Sequence, residues 1–481
     1  MFHRRIWLGF LCILAASLTT PMRAQDLPAD SPRRTAMVEV IERTLPSVVA
    51  IRVVERNEAE VRVHIGSGAI LHEHGYVLTN AHVVRNAKAG ELQLSDDRVL
   101  PFQTLVRWPC EDLAILRIPS VPSLKPATIG RSHDLMLGEP TVVIGSPTGL
   151  ARSVSTGIVS GLSRATRTEY AFLPSMVQTT AATSGGSSGG PLLNALGQQI
   201  GVITSRDTSA QNISFAIMID HVRQVFPNMV AAEQRIGFQF GAAVDMLAEE
   251  AKVTEIRAGS PAEAAGLQVG DVVTHFDDLI VRQGIDFHLM TTRLRPDKST
   301  NLRYRRGEET HETMVTPTGL EPLDSVAVEN VQPGLEAEVY AGLWDKLPDF
   351  QTLESVERKV IPQVKLDEFP MFQDKFAMRA TGFVKIPADG LYGFYLRSDD
   401  GSQLFIGDRQ IVDNDGLHAA KDAGGLIRLK AGLHPFTVEF FEAGGSQDLR
   451  LMVESTDLPI QEMPADWLFH QSSSESTGEP K

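Results

Sequence analysis

A chain of 481 residues is too long for one hydrophobic core and implies roughly three domains of about 150 residues each. Its 42% hydrophobic and 22% charged residues are ordinary for a soluble globular protein, and its 39 glycines, 27 prolines and short Val/Ile/Leu runs favour β structure. The formal net charge of −15 argues against nucleic acid as a general partner, because phosphate binding wants a basic surface.

Residues 1–24 have the form of a signal peptide. His3-Arg4-Arg5 give a positive start, Ile6 to Leu18 are mainly apolar, and Ala24 ends a cleavage region before Gln25. A retained anchor is the alternative, although the apolar run is short for a membrane span. Residues 25–36 are polar and proline-containing and read as a flexible leader. Cys12 lies in the signal, which leaves Cys110 alone in an exported chain, so no disulfide framework is expected. Cys110 reads as a small packed residue.

Met37 to Leu45 predicts a short helix stopped by Pro46. Strand-like runs follow at Val48–Val54, Val61–Ile65, Ala114–Ile118, Thr141–Ile144, Val154–Val159 and Ile200–Thr204, separated by Gly/Pro/Asn/Asp turns. No βαβ alternation is present, which favours a barrel or sandwich. Between two of these strands lies Gly186-Ser187-Ser188-Gly189-Gly190-Pro191-Leu192. Ser-Gly runs can be plain linkers. Here a histidine in Thr79-Asn80-Ala81-His82-Val83-Val84 and an aspartate in Asp112-Leu113-Ala114-Ile115-Leu116 stand upstream, in one of the chain orders of a serine-protease triad. A serine hydroxyl becomes a nucleophile when an imidazole takes its proton and backbone N–H groups stabilise the oxyanion. Flanking glycines permit the tight turn that aims the N–H groups of Gly186 and Ser188 at one spot.

Residues 37–230 resemble the trypsin-like protease domain of the HtrA (Do-like) family. The resemblance rests on GSGAIL and GYVLTNAHVV at 66–84, EDLAILRI at 111–118, LGEPTVVIGSPTGL at 137–150, STGIVSGLSR at 155–164, GSSGGPLLN at 186–194 and NISFAIMID at 212–220. It implies two six-stranded β-barrels with the active site between them. The family's catalytic residues fall on His82, Asp112 and Ser188, and its oxyanion hole on the backbone of Gly186 and Ser188. The sequence departs from the family at Thr180, where an acid is usual, and at Ser184-Gly185-Gly186-Ser187, which lacks the usual proline. Ala182, six residues before Ser188, argues against cleavage after basic residues. Ser205-Arg206-Asp207 is polar where the family is apolar, so the cleavage preference stays open.

Residues 235–320 begin a second domain. Ser260-Pro261 opens a helix and Gly266 follows its end, as start and stop chemistry requires. The run from Gly259 to Val273, GSPAEAAGLQVGDVV, resembles the PDZ domains that follow HtrA-type proteases. Such domains hold a terminal carboxylate on backbone N–H groups. That loop falls on Ile236, Gly237 and Phe238, and a plain packing domain is the alternative.

Residues 321–332 read as a linker and 456–481 as a C-terminal tail. Between them, 333–455 carry alternating runs such as Tyr392–Leu396 and Phe436–Phe441, which suit a β-sandwich. The set YGFYLRSDDGSQLFIGD, VDNDG and LKAGLHPFTVEFFEAG is similar to the protective-antigen-type domain. In sugar-binding members paired aspartates like Asp399 and Asp400 hold calcium, to which Asn414 and Asp415 could add. The alternative is that both acidic segments are turns.

The expected protein is mainly β and multidomain: a trypsin-like double β-barrel, a PDZ α+β domain and an all-β sandwich. The resemblances imply an exported serine endopeptidase of the periplasm or cell envelope that cleaves unfolded or misfolded proteins by an acyl-enzyme route. No cofactor is required for catalysis, with calcium as a possible ligand of the last domain. Implied partners are C-terminal peptides at the PDZ domain, carbohydrate at the last domain, and further copies in a trimer-based homo-oligomer. The rival expectation is a proteolytically silent peptide-binding, chaperone or glycan-binding envelope protein.

Overall fold

A computed structural model describes residues 31–56, 61–85, 87–146, 153–167, 172–206, 212–246, 248–445 and 447–472. The expected signal peptide, residues 1–24, lies outside the described residues. Among the described residues, no helix is long and apolar enough to cross a membrane.

Helix α1 (Ala36–Thr44) begins at Thr35, whose hydroxyl accepts the N–H of Val38, and ends where Leu45-Pro46-Ser47 tightens into a 3₁₀ turn. Its apolar side, Met37 and Ile41, packs on Val48, Val142, Ile144 and Leu193, at the seam between two barrels.

The first barrel contains β1 (Val48–Arg56), β2 (Val61–His72), β3 (Tyr76–Thr79), β4 (Ala89–Gln93), β5 (Val99–Trp108) and β6 (Leu113–Arg117), closed in the order β1-β2-β3-β6-β5-β4. Alternation in β1 turns Val49, Ile51 and Val53 into the core and Val54 outward. Gly66-Ser67-Gly68, which follows the expected strand Val61–Ile65, runs inside β2 and pairs with Val49 to Ile51.

The second barrel contains β7 (Pro140–Gly145), β8 (Ser153–Arg167), β9 (Phe172–Thr179), β10 (Pro191–Asn194), β11 (Gln199–Arg206) and β12 (Ser214–Met218), closed as β10-β11-β12-β9-β8-β7. Its core is Val143, Val159, Val177, Leu192, Ile200, Ile203 and Ala216. Closure removes sheet edges and leaves the short loops between strands to carry chemistry.

Helix α2 (Ala81–Val84) lies in the first barrel, while α3 (Ile219–Val230) and α4 (Ala232–Ile236) lead out of the second. Beyond them the second domain is α+β. A sheet built on Val272–Phe276 and Thr300–Arg306 is accompanied by the helices Pro261–Ala264 and Gly284–Thr291. Ser260 caps the first of these helices and Pro261 is its first residue, as the sequence requires.

The third domain is a sandwich of an eight-stranded and a four-stranded sheet around Phe376, Phe394, Leu396, Phe436 and Phe440. The mainly β, multidomain fold class is as expected. The sandwich is larger than its motifs implied, however. The strand Leu468–Gln471 pairs with Val331–Pro333 and Phe376–Ile386, and Leu468 is fully buried. Residues 323–326 also hydrogen-bond along the sheet, through Leu323 with Arg428 and Lys430 and through Val326 with Leu433. The expected linker and much of the expected tail therefore belong to the domain, because the exposed ends of its sheet need partners.

The domains do not stand apart. One apolar cluster runs from Tyr76 and Leu113 through Val222 and Phe226 of α3 to Phe240, Phe276 and Phe287 of the second domain, and on to Tyr395 of the third. Trp108 and Tyr395 meet edge to face at 5.6 Å, joining the first barrel to the sandwich.

Candidate active site

His82 sits on α2, immediately after β3. Its ring Nδ1 lies 2.9 and 2.8 Å from the two carboxylate oxygens of Asp112. A carboxylate only accepts, so Nδ1 carries the proton and Nε2 is left as the base. Asp112 follows a 3₁₀ turn, Pro109–Glu111, and takes a left-handed backbone (φ 49°) that aspartate tolerates. It is fully buried, and every acceptor site it shows is used. Oδ1 accepts the backbone N–H of His82 at 3.0 Å, Oδ2 accepts the hydroxyl of Thr204, and the main-chain carbonyl accepts Nδ2 of Asn80 at 2.8 Å. Donors of this kind compensate the burial of a carboxylate.

Ser188 lies in the loop between β9 and β10. Its hydroxyl donates to the carbonyl of Thr204 at 3.1 Å, so one residue of β11 touches both the aspartate and the nucleophile. The loop's peptide groups are committed one by one. The N–H of Ser187 donates to Ser184 O, that of Gly190 to Ser187 O, and that of Gly189 to Ile203 O. Ser67, buried inside β2, grips the loop twice. Its N–H donates to Ser188 O at 2.8 Å and its hydroxyl to Gly186 O at 2.7 Å, while that hydroxyl accepts the N–H of Ser146 at 2.9 Å. Among the described residues, only the N–H groups of Gly186 and Ser188 in the stretch 186–190 donate to no protein acceptor, Pro191 following them with none to give. These are the donors an oxyanion requires.

Two glycines are required by this geometry. Gly186 has φ +100°. Gly189 has φ +81°, and a Cβ there would come within 2.2 Å of Ser67 O and 2.1 Å of the Thr79 hydroxyl. The departure at Thr180 also has a visible role, since its hydroxyl accepts the N–H of Ile158 at 3.0 Å. Ala182 is exposed, and its carbonyl accepts the Ser155 hydroxyl at 2.6 Å. Ser205 and Arg206 close β11, and Asp207 lies outside the described residues.

Behind Asp112, Glu111 and His221 of α3 are bonded at 2.6 Å. Burial disfavours the imidazolium, but the bond and charge of Glu111 outweigh it and raise the pKa of His221. Burial pushes the Cys110 thiol up, as suits a packed and unreactive cysteine.

In the second domain, Ile236, Gly237 and Phe238 sit at the end of α4. The N–H of Gly237 donates to Glu233 O, its carbonyl accepts from Leu320, and Phe238 is buried and pairs with Gly319. The freer cradle is slightly further on, where Phe240 and Gly241 donate at 2.9 and 2.7 Å to the carboxylate of Glu233. A cavity of about 400 Å³ adjoins it, lined among others by Phe238, Phe240, Ala242, Phe287, His288 and Thr291.

In the third domain, the two oxygens of Asp400 accept the N–H groups of His418 (3.2 Å) and Ala443 (2.8 Å), and Asp415 accepts those of Leu347 and Gly416. Asn414 donates to Ser398 at 2.9 Å. Among the described residues, no three His, Cys, Asp or Glu side chains gather as metal ligands. Through its two acceptor bonds Asp400 braces the segments that carry His418 and Ala443. Beside them the fully buried Glu442 is pushed up to about 8 by burial and by the neighbouring Asp400.

Sequence reasoning named His82, Asp112, Ser188 and Gly186 but missed Ser67, Thr204 and Asn80. Ser67 lies in a quoted motif and Thr204 in a quoted strand, yet neither has a local signal of its role.

Two closed barrels with an Asp–His pair and a glycine-bounded serine between them define a trypsin-like serine protease. Family models agree in chain order, with a trypsin-like peptidase domain over residues 66–202, a PDZ domain over 235–316 and a PA14 domain over 332–467. The chain is 33% identical over 327 residues to "Serine protease HTRA2, mitochondrial" of Bos taurus, covering 60% of this chain and 69% of that protein. It is 33% identical over 293 residues to "Serine protease PepD" of Mycobacterium tuberculosis (55% and 61%), and 33% identical over 288 residues to the "Probable periplasmic serine endoprotease DegP-like" of Hahella chejuensis (56% and 60%). The chain belongs to the HtrA family of serine proteases. It spans less than two thirds of the length of the latter two relatives.

Proposed function

We propose that the protein is an exported serine endopeptidase that cleaves unfolded or misassembled envelope proteins through an acyl-enzyme. Ser188 attacks the scissile carbonyl, and His82 Nε2 takes its proton and later gives it to the leaving amine. Asp112 holds the tautomer and stabilises the imidazolium. The N–H groups of Gly186 and Ser188 receive the oxyanion, a contribution of about 3 kcal/mol per donor. The observation that carries this reading is the shared Thr204 bridge, which puts the buried Asp112–His82 pair and the Ser188 hydroxyl on one residue.

The DegP-like relative's name supports a periplasmic location. The cavity beside Phe240 would take the end of a peptide substrate, whose carboxylate would compete with Glu233 for the N–H groups of Phe240 and Gly241. The sandwich would tether the enzyme to carbohydrate or another envelope surface, and further copies would assemble around the barrels.

The test is hydrolysis of an unfolded casein by the mature protein beside Ser188→Ala and Ser187→Ala. Activity is expected to vanish in Ser188→Ala and persist in Ser187→Ala. An inactive unsubstituted protein, with peptide ends supplied, would overturn the proposal in favour of a silent binding protein.

A further inference from the structure

A cavity of about 410 Å³ opens where the first barrel meets the sandwich. Its barrel side includes Arg85, Lys88 and Arg107, its floor Arg235 from α4, and its sandwich side Leu391, Leu426, Glu454, Asp457 and Leu458. Four cations thus face two carboxylates, on a chain whose formal net charge is −15. Such a concentration of positive charge in a concave, partly apolar cleft between domains is the form of a small-molecule site.

The carboxylates are already committed. Glu454 pairs with Arg107 at 2.6 Å through one oxygen and accepts the Tyr395 hydroxyl through the other. Asp457 is almost fully exposed and lies 3.9 Å from Lys88. Arg235 is the least compensated of the cations. Its Nε donates to Met229 O at 3.0 Å and its guanidinium lies over the Trp108 ring at 5.8 Å, but the buried Nη2 meets no acceptor among the described residues. A buried guanidinium with an unused donor is costly unless a counter-charge comes close. Nothing in the proteolytic mechanism uses these residues.

We infer that this cleft binds a small amphipathic oxyanion. Its carboxylate or phosphate lies among Lys88, Arg107 and Arg235, and its apolar part lies against Leu391, Leu426 and Leu458. The size matches a ligand of metabolite scale rather than a protein surface. The occupant rests against both elements of the catalytic pair. Arg85 is the C-terminal cap of the helix that carries His82, with φ +47°, and Arg107-Trp108 leads directly into the turn before Asp112.

The test is isothermal titration of the full chain with hexanoate, hexyl phosphate and, as the uncharged control, hexanol. One of the anions is expected to bind saturably at one site per chain, hexanol not at all, and the preferred headgroup identifies carboxylate or phosphate as the source. Lys88→Glu, on a side chain 79% exposed and so harmless to folding, and Arg235→Met are each expected to weaken that binding at least tenfold. No saturable binding of either anion, or binding that Lys88→Glu leaves unchanged, would overturn the inference.

Discussion

Replacing Ser67 by alanine removes one hydroxyl and leaves the main chain as it is. The side chain is fully buried, donates to Gly186 O at 2.7 Å and accepts the N–H of Ser146 at 2.9 Å. The bond from its own N–H to Ser188 O, at 2.8 Å, survives the substitution. The nucleophile therefore stays tethered, while the peptide between Gly186 and Ser187 loses one of its two anchors. Two hydrogen bonds of about 1 kcal/mol each are lost, and two buried backbone groups become unsatisfied at about 1–3 kcal/mol each before relaxation. Relaxation of the glycine-rich loop absorbs part of this, which leaves about 2 kcal/mol as the cost to the aligned loop. Expressed in the transition state, 2 kcal/mol is about 30-fold in rate. Steady-state hydrolysis of a fluorogenic peptide should show kcat reduced by about that factor with KM nearly unchanged, because the substrate's ground-state contacts are untouched. Thermal unfolding of the same variant should show a modest loss of stability. An unchanged kcat, or a loss confined to KM, would refute the assignment of Ser67 as the positioning residue of the oxyanion donors.

Glu233→Ala frees the N–H groups of Phe240 and Gly241, so peptides with a free C-terminus should bind about tenfold more tightly by fluorescence anisotropy, and amidated peptides should not gain. Equal affinity in the variant would count against that cradle as the carboxylate site. Glu442 has its folded pKa raised from 4.5 to about 8, so its contribution to stability is fully present below the lower value and is lost as pH rises through the upper one. Glu442→Gln keeps the neutral form. After allowance for solvent screening, it should stabilise the chain by about 2 kcal/mol at pH 8 and leave it nearly unchanged at pH 4 in urea unfolding. An equal effect at both values would show that Glu442 does not carry this proton.

The parts of the site that were legible in the sequence are those with a local cause. His82 and Asp112 stand at the edges of strand-like runs, and Ser188 stands in a glycine cluster whose backbone demands are visible in composition. The PDZ-like helix is announced by Ser260-Pro261 and ended by Gly266. Other expectations were displaced by tertiary packing. The Gly66-Ser67-Gly68 segment beyond the expected strand Val61–Ile65 lies in the interior of β2, because the partner strand and the loop carrying Ser188 supply its hydrogen bonds. The polar stretch around Leu323 and the expected tail after residue 455 were drawn into the sandwich by unpaired sheet positions that no local pattern reveals. The acidic pair at 399–400 has the composition of a cation site or of a turn, and only the fold shows that the Asp400 oxygens accept backbone donors from residues 418 and 443.

By itself the sequence determined the chemical inventory: which serine, histidine and aspartate are the candidates for a triad, where the backbone turns, and which runs form strands. These depend on side-chain type and on neighbours a few residues away. Only the tertiary structure decided that Ser67 holds Gly186 across 119 positions, that Thr204 joins Asp112 to Ser188, and that Arg235 lies at the floor of a cleft walled by another domain. A hydroxyl or guanidinium looks the same in sequence whether it meets water or a buried carbonyl. Its role is set by which distant donor or acceptor folding brings within about 3 Å.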